Sequence, residues 1–367
     1  MADPIDSIST PARVADAAEG ISTDELRLAA RNHGLPLEAM RDDVTPPGLH
    51  YVLSHYDIPR VDVATWELTV GGAVDNPLQV GFDELLSRPP STVRVTLECA
   101  GNGRAALSPR PVSQPWLEGA VGTADWTGVP LAALLREADP TSDAVDVVFT
   151  GADHGIERGV EQDYQRALPL ADALGDDVLV AYEMNGLPLP PQHGFPVRLV
   201  APGWYGMAHV KWLRDITVSD RRFDGFQHQA YRLRQAADEP GEPVTRIEPR
   251  SLLVPPGFPD FMSRVRFVRP GTVTLEGRAW SGWAPIERVE VSPDDGRSWT
   301  DADLSDADGR WAWRRFSAPW EAPPGEHVLR TRAHDASGRS QPASPRWSRG
   351  GFANNTDQGL RVVVLDA

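Results

Sequence analysis

At 367 residues with 41% hydrophobic content, the chain is long enough to bury a sizeable core and to divide into two or three domains. Its formal charge of −16 at pH 7 argues against nucleic acid or an anionic membrane surface as the main partner, since both need a basic face. The one cysteine, Cys99, excludes a disulfide framework and any cysteine-rich zinc or iron–sulfur site, and no HExxH spacing offers zinc another home.

Residues 1–44 read as an extension with an acidic start and one helix. In STDELRLAARNHG (22–34), Ser22 and Glu25 form a capping box and Gly34 provides the stop. The N-terminus lacks the basic and apolar regions of a signal peptide, and no later apolar run is long enough to span a bilayer, so a cytoplasmic location is expected. Over 45–235 helix and strand signals mix. The β-branched runs TWELTVGG, VRVTLEC, VDVVFTG and FPVRLVAP are bounded by Gly and Pro, and VPLAALLREA places Pro130 at a helix start. Residues 236–260, rich in proline and acid, read as a linker. Over 261–367 the helical period disappears. VTLEGRAW, IERVEVSPDDGRSW and LRVVVL alternate at period two, and PDDG makes a hairpin turn. The expectation is an α+β chain: a mixed α/β domain followed by an immunoglobulin-like β-sandwich.

In VRVTLEC (93–99), Val93, Val95 and Leu97 point to one side of a strand and Arg94, Thr96 and Glu98 to the other, so Cys99 continues the apolar face. Gly101 and Gly103 would then let backbone approach a ligand closely, with Arg104 turning a guanidinium back towards it. Two readings stay open from these residues alone. Cys99 is either a packed small hydrophobe or a thiolate that suits a soft, high-valent metal. Of the 36 basic residues a single one, Lys211, is lysine, which raises the question of why it was kept.

TLECAGNGR (96–104) resembles the metal-ligand segment of the sulfite oxidase family, in which the cysteine of a CAGN motif binds the molybdenum of a pyranopterin cofactor. VAYEMNGLPLPPQHGFPVRLVAPGWYGMAHVKWLRDI (180–216) resembles the same family's cofactor-binding core, and GRAWSGWAPIERVEVSPDDGRSW its C-terminal dimerisation domain. The resemblance runs over roughly residues 45–365 in the family's order. It implies a molybdopterin-binding domain with Cys99 as metal ligand. His193 and Arg198 of HGFPVR and Lys211 of HVKW would take the cofactor, with His209 and Val210 beside them. Asp153 of TGAD matches the pterin-contacting acid, and YVLSH (Tyr51, Val52, Leu53, Ser54, His55) the segment that lies against the cofactor. The unique lysine thus falls on an expected anion site.

In the substrate pocket the resemblance assigns Arg104, Trp116, Tyr231 and, from the second domain, Arg349. The family's other pocket arginine, in a segment ending R-N-H, falls on Leu53. The RNH at 31–33 lies some twenty residues earlier in a helix and reads as coincidence. Loss of one charge-assisted bond, about 1.5–3 kcal/mol, would weaken sulfite binding roughly ten- to a hundredfold. The implied reaction is oxygen-atom transfer, oxidising sulfite with an external electron acceptor. No cytochrome or flavin fingerprint occurs, so neither haem nor flavin is expected. Reduction of nitrate, a sulfoxide or another oxyanion with an external donor is the alternative, and a cofactor-free binding or dimerisation protein the remoter one. The partners expected are a small anionic or oxo-compound substrate and a second copy of the chain.

Overall fold

A computed structural model describes residues 5, 8, 9 and 12–366. The acidic start of the chain lies largely outside the described residues. Helix α1 (Thr23–Arg31) begins at the capping box: Ser22 Oγ accepts from Glu25 N at 3.3 Å, and Glu25 Oε2 accepts from Ser22 N at 2.9 Å. It ends at Asn32, two residues before Gly34. Asn32 is extended there, and its amide Nδ2 donates to Leu28 O and Gln114 Oε1 while Oδ1 accepts from Ser54 N.

The first domain holds two five-stranded sheets. Its elements are β1 (Glu67–Gly72), β2 (Leu78–Gly81), β3 (Ser91–Glu98), β4 (Val121–Pro130), α2 (Leu131–Ala138), β5 (Asp146–Glu157), β6 (Val160–Pro169), β7 (Leu179–Met184), β8 (Leu187–Pro188), β9 (Arg198–Val200), β10 (Leu213–Ser219) and α3 (Phe226–Ala230). One sheet runs β8-β7-β4-β3 with β9 also on β7; the other runs β2-β1-β10-β5-β6, antiparallel except for β1 beside β10. Between them Leu68, Val70, Phe149, Val180, Leu199 and Ile216 form a core that α2, starting after Pro130, seals with Leu131, Leu134 and Leu135.

The second domain is a β-sandwich. Its strands are β11 (Arg250–Leu253), β12 (Phe258–Pro259), β13 (Arg266–Val268), β14 (Gly271–Trp280), β15 (Ile286–Ser292), β16 (Thr300–Asp301), β17 (Asp303–Leu304), β18 (Arg314–Ala322), β19 (Gly325–Asp335) and β20 (Leu360–Val364). Four of them (β11-β14-β18-β17) face six (β12-β13-β20-β19-β15-β16) across Leu275, Val289, Phe316, Leu329 and Val362. The PDDG turn uses positive φ at Asp295 and Gly296, as its residues predict. Within 236–260, Val244 and Ile247 are buried and β11 is buried along its whole length, so much of this proline-rich stretch is packed.

Strand β3 alternates as its sequence predicts, yet both faces are buried at its end. Val95 and Leu97 enter the first-domain core, while Thr96 and Glu98 turn to the sandwich. Trp313 N donates to Thr96 Oγ1 at 2.7 Å, and Glu98 takes Arg250 Nη1 at 3.1 Å and Trp280 Nε1 at 2.8 Å. A buried carboxylate is tolerated because Arg250, Trp280 and Asn102 together satisfy it.

Candidate active site

Where β3 ends, a cavity of roughly 670 Å³, its open mouth included, lies between Cys99, the 50–55 segment, the 192–211 loops and Tyr231. Of the residues assigned by resemblance, Tyr51, Val52, Leu53, His55, Cys99, Asp153, His193, Arg198, His209, Lys211 and Tyr231 line it. Ser54 stands behind the wall and accepts from Lys211 Nζ at 3.0 Å through Oγ. Val210 is a core residue, fully buried. Trp116 packs in one apolar cluster with Cys99 and Tyr51, and its indole N–H has no partner.

Arg198 and Lys211 line this cavity, whereas Arg104 and Arg166 are buried outside its lining. Arg198 donates to the carbonyls of His193 and His209 at 3.0 and 3.2 Å. Lys211 Nζ donates to Leu53 O, Gln192 O and Ser54 Oγ. Arg104 donates to Gly350 O and Gln114 O, and Arg166, on β6 behind Tyr231, to Gln227 O and Val244 O. All of these acceptors are neutral. Among the described residues none of the four cations forms an ion pair with a carboxylate. Burial pulls Lys211 down to about 7 and Arg198 to about 10. Positive charge concentrated without a direct ion-pair partner is costly to bury, and an anionic group in the cavity relieves that cost. Three further polar atoms are buried without partners: His50 Nε2, Trp116 Nε1 and Asp153 Oδ1. Burial raises Asp153 to about 6, against the opposing charge of Lys211. This donor set, with one thiol, fits a phosphorylated heterocycle that carries a metal. It follows that the metal-free and pterin-free protein gains thermal stability from millimolar phosphate or pyrophosphate, by RT ln(1 + [L]/Kd). A melting temperature indifferent to these anions, beyond a sulfate control at equal ionic strength, would contradict it.

Not every assigned histidine has a nitrogen to offer. His209 Nδ1 accepts from Ala201 N at 3.1 Å and Nε2 donates to Trp204 O at 3.0 Å, so both atoms serve the backbone. His193 and His50 pack ring edge to face at 5.4 Å. Burial holds His50, His193 and His209 down to about 4, 2 and 3, so all three are neutral in the fold. Unfolded histidines titrate near 6.5, so this stability is complete above that pH and is lost as pH falls below it. By pH 4 each site should cost about 3 kcal/mol. Denaturation midpoints measured from pH 7 to 4 should fall, and His209→Gln should remove one proton from the slope.

The glycines of CAGNGR play a different part from the expected one. A Cβ on Gly101 would lie 2.3 Å from Arg104 Nη2, and one on Gly351 (φ +64°) 2.5 Å from Arg104 Cγ. Gly101 therefore makes room for the arginine rather than for a ligand. Arg104 is threaded between two backbones, with its guanidinium 5.3 Å over Phe352, and Phe352 stacks on Tyr231 at 4.7 Å. Arg349 lies in the same second-domain segment, half-buried, and its guanidinium makes no hydrogen bond or ion pair among the described residues.

Several site residues escaped the sequence reading. His50 directly precedes the assigned 51–55 segment, and Tyr164 and Gln192 line the cavity. The RNH at 31–33 does not line the cavity, but it packs against the segment that does. Arg31 Nη2 donates to the carbonyls of Ser54, His55 and Tyr56 at 2.8, 3.0 and 2.8 Å, and His33 pairs with Val52. Only the tertiary fold brings α1 against that segment. Finally, His55 Nε2 lies 3.0 Å from Tyr231 Oη and Nδ1 lies 3.2 Å from Glu157 Oε2.

The family model described as the oxidoreductase molybdopterin binding domain matches residues 55–227, and the one described as the Mo-co oxidoreductase dimerisation domain matches 252–364. Mitochondrial sulfite oxidase of Mus musculus is 31% identical across 99% of this chain and 70% of its own length. Sulfite oxidase of Gallus gallus is 35% identical across 83% of this chain and 70% of its own length. The NADH nitrate reductase of Ulva prolifera is 31% identical across 87% of this chain, which spans 40% of that relative. The sulfane dehydrogenase SoxCD of Paracoccus pantotrophus matches in structure with a TM-score of 0.79 at 25% identity, covering all of both chains. Among the described residues no helix is long and apolar enough to cross a membrane.

Proposed function

The chain belongs to the sulfite oxidase family of molybdopterin-dependent oxidoreductases, and on that premise we propose that it oxidises sulfite to sulfate and passes the electrons to an external acceptor. The observation that carries the reading is the set of cations bonded only to neutral acceptors around a cavity that also contains the one thiol. When bound, the molybdenum cofactor supplies a two-electron centre that exchanges an oxygen atom with the substrate.

The protein's part is to hold, orient and shield. Cys99, 5% exposed, would ligate the metal as thiolate; burial raises its pKa, and the charge of Arg104 opposes that rise. Arg198 and Lys211 would take the phosphate, and Asp153 and His50, each with an unpaired buried atom, the polar edge of the heterocycle. Arg104 and the Tyr231 hydroxyl would orient the substrate oxyanion, Trp116 would keep water out, and Arg349 would add charge from the second domain. A homodimer follows from the second domain's family, and light scattering should report twice the chain mass.

A second reading, reduction of nitrate or a sulfoxide, is favoured by one observation: Leu53 occupies an apolar position in the cavity wall. A cofactor-free role is disfavoured by the buried cations that bond only to neutral acceptors. The deciding experiment is anaerobic mixing of molybdenum-loaded, oxidised protein with sulfite while following the thiolate-to-molybdenum absorption. Saturable bleaching is expected. Absence of bleaching with cofactor present, together with reoxidation of dye-reduced protein by nitrate or a sulfoxide, would replace the oxidase by the reductase.

A further inference from the structure

Oxidation of sulfite by water must dispose of protons: sulfite and water give sulfate, two protons and two electrons. The electrons go to the external acceptor, and the protons need a route out that remains available while substrate fills the cavity. One polar path leads from the cavity towards solvent. Tyr231 Oη stands 3.0 Å from His55 Nε2, and His55 Nδ1 stands 3.2 Å from Glu157 Oε2 at the end of β5. Gln227, fully buried on α3, donates to the same Glu157 oxygen at 3.2 Å. Tyr231 is 6% exposed, whereas the side chains of His55 and Glu157 are 20% and 24% exposed, so accessibility rises along the path.

The protonation pattern of this array is determined by chemistry. Burial disfavours an ionised Glu157, but the hydrogen bonds from His55 and Gln227 and the charge of adjacent Arg158 oppose it and favour the carboxylate. An ionised carboxylate only accepts, so Nδ1 of His55 carries a proton and Nε2 presents its lone pair to the Tyr231 hydroxyl. The groups facing His55 are Tyr56, Tyr164 and Tyr231 by ring contact, Glu157 by hydrogen bond, Asp153 by charge, and Arg31, which grips the carbonyls of 54–56. Glu157 thus sets the tautomer of His55 through a contact to its far nitrogen.

We propose that Glu157 is a positioning residue that makes Tyr231 and His55 a proton exit from the cavity, an inference that rests on the sulfite oxidation reading. The Tyr231 O–H bond breaks as His55 Nε2–H forms, Tyr231 Oη takes a replacement proton from the cavity side, and the imidazolium Nδ1–H bond then breaks as its proton passes by way of the Glu157 carboxylate to bulk water, after which exchange with solvent returns the ring to its Nδ1–H form. No oxidant beyond the external acceptor is required.

The test uses molybdenum-loaded Glu157→Gln, with ring 15N spectra of His55 assigned by a His55 variant. In the wild type the Nδ1–H form is expected, and in E157Q a mixture with the Nε2–H form. Steady-state kcat should fall about 10- to 100-fold more than the rate of sulfite bleaching, which releases no proton to solvent, with KM little changed and a larger solvent deuterium effect. The substitution removes the carboxylate charge that faces Nδ1. Glu157→Asp, which retains that charge, should recover both tautomer and rate, and serves as the probe if E157Q folds poorly. Unchanged His55 spectra, or a kcat loss no larger than the loss in bleaching rate, would overturn the proposal. If sulfite bleaches not even the wild type, the sulfite reading falls, and the tautomer result alone decides whether Glu157 sets His55.

Discussion

Cys99→Ser is expected to retain molybdopterin while losing turnover by at least about 10³-fold, along with the thiolate-to-molybdenum absorption. The reason lies in how the site divides its labour. Arg198 and Lys211 are fixed by carbonyls and a hydroxyl that do not involve Cys99, so the phosphate-binding half survives the substitution. The metal half does not. Cys99 lies at the end of β3, its backbone N–H held by Ala120 O at 2.9 Å, and it presents the chain's one thiol there. A serine hydroxyl in that buried position is a harder, more basic ligand that resists deprotonation. Pterin fluorescence after oxidative release, metal content and sulfite turnover measured together separate the two halves. Full activity in the variant would remove Cys99 from the metal site.

Leu53→Arg should tighten sulfite binding roughly 10- to 100-fold, the equivalent of one charge-assisted hydrogen bond of about 1.5–3 kcal/mol. Leu53 is half-buried against the cluster that contains Cys99, and its carbonyl already receives Lys211 Nζ at 2.9 Å. A guanidinium there joins an already cationic wall, so the unloaded variant should melt at a lower temperature than the wild type and regain stability on cofactor loading. Concentration dependence of the bleaching rate measures the affinity. An unchanged or weaker sulfite affinity in a fully loaded variant would mean that this wall does not face the substrate, and would favour a less charged substrate.

These expectations differ in how directly the chain announces them. The capping box at Ser22 and Glu25, the helix after Pro130, the alternation of β3 and the sandwich strands all follow from short-range rules, and the structure bears them out. The glycines around Cys99 were misjudged for a physical reason. A glycine signals close approach but not by what, and here the approaching atoms are the guanidinium of Arg104 and backbone from the second domain. His50 gave no signal of its own, since a lone histidine among apolar residues is equally consistent with packing.

By itself the amino-acid sequence determined the two-domain plan, the isolated thiol, the single lysine and the motifs that mark the family. Local propensities, alternation and residue chemistry act over a few positions and need no partner. Only the tertiary structure decided that Glu98 ties β3 to Arg250 and Trp280, that Arg31 closes on the carbonyls of residues 54–56, and that His55 lies between Tyr231 and Glu157. Those contacts join segments from about 23 to more than 180 residues apart. They exist because burying uncompensated charges and carbonyls forces each to find whatever partner the packed fold brings within 3 Å, and no periodicity in the chain records that choice.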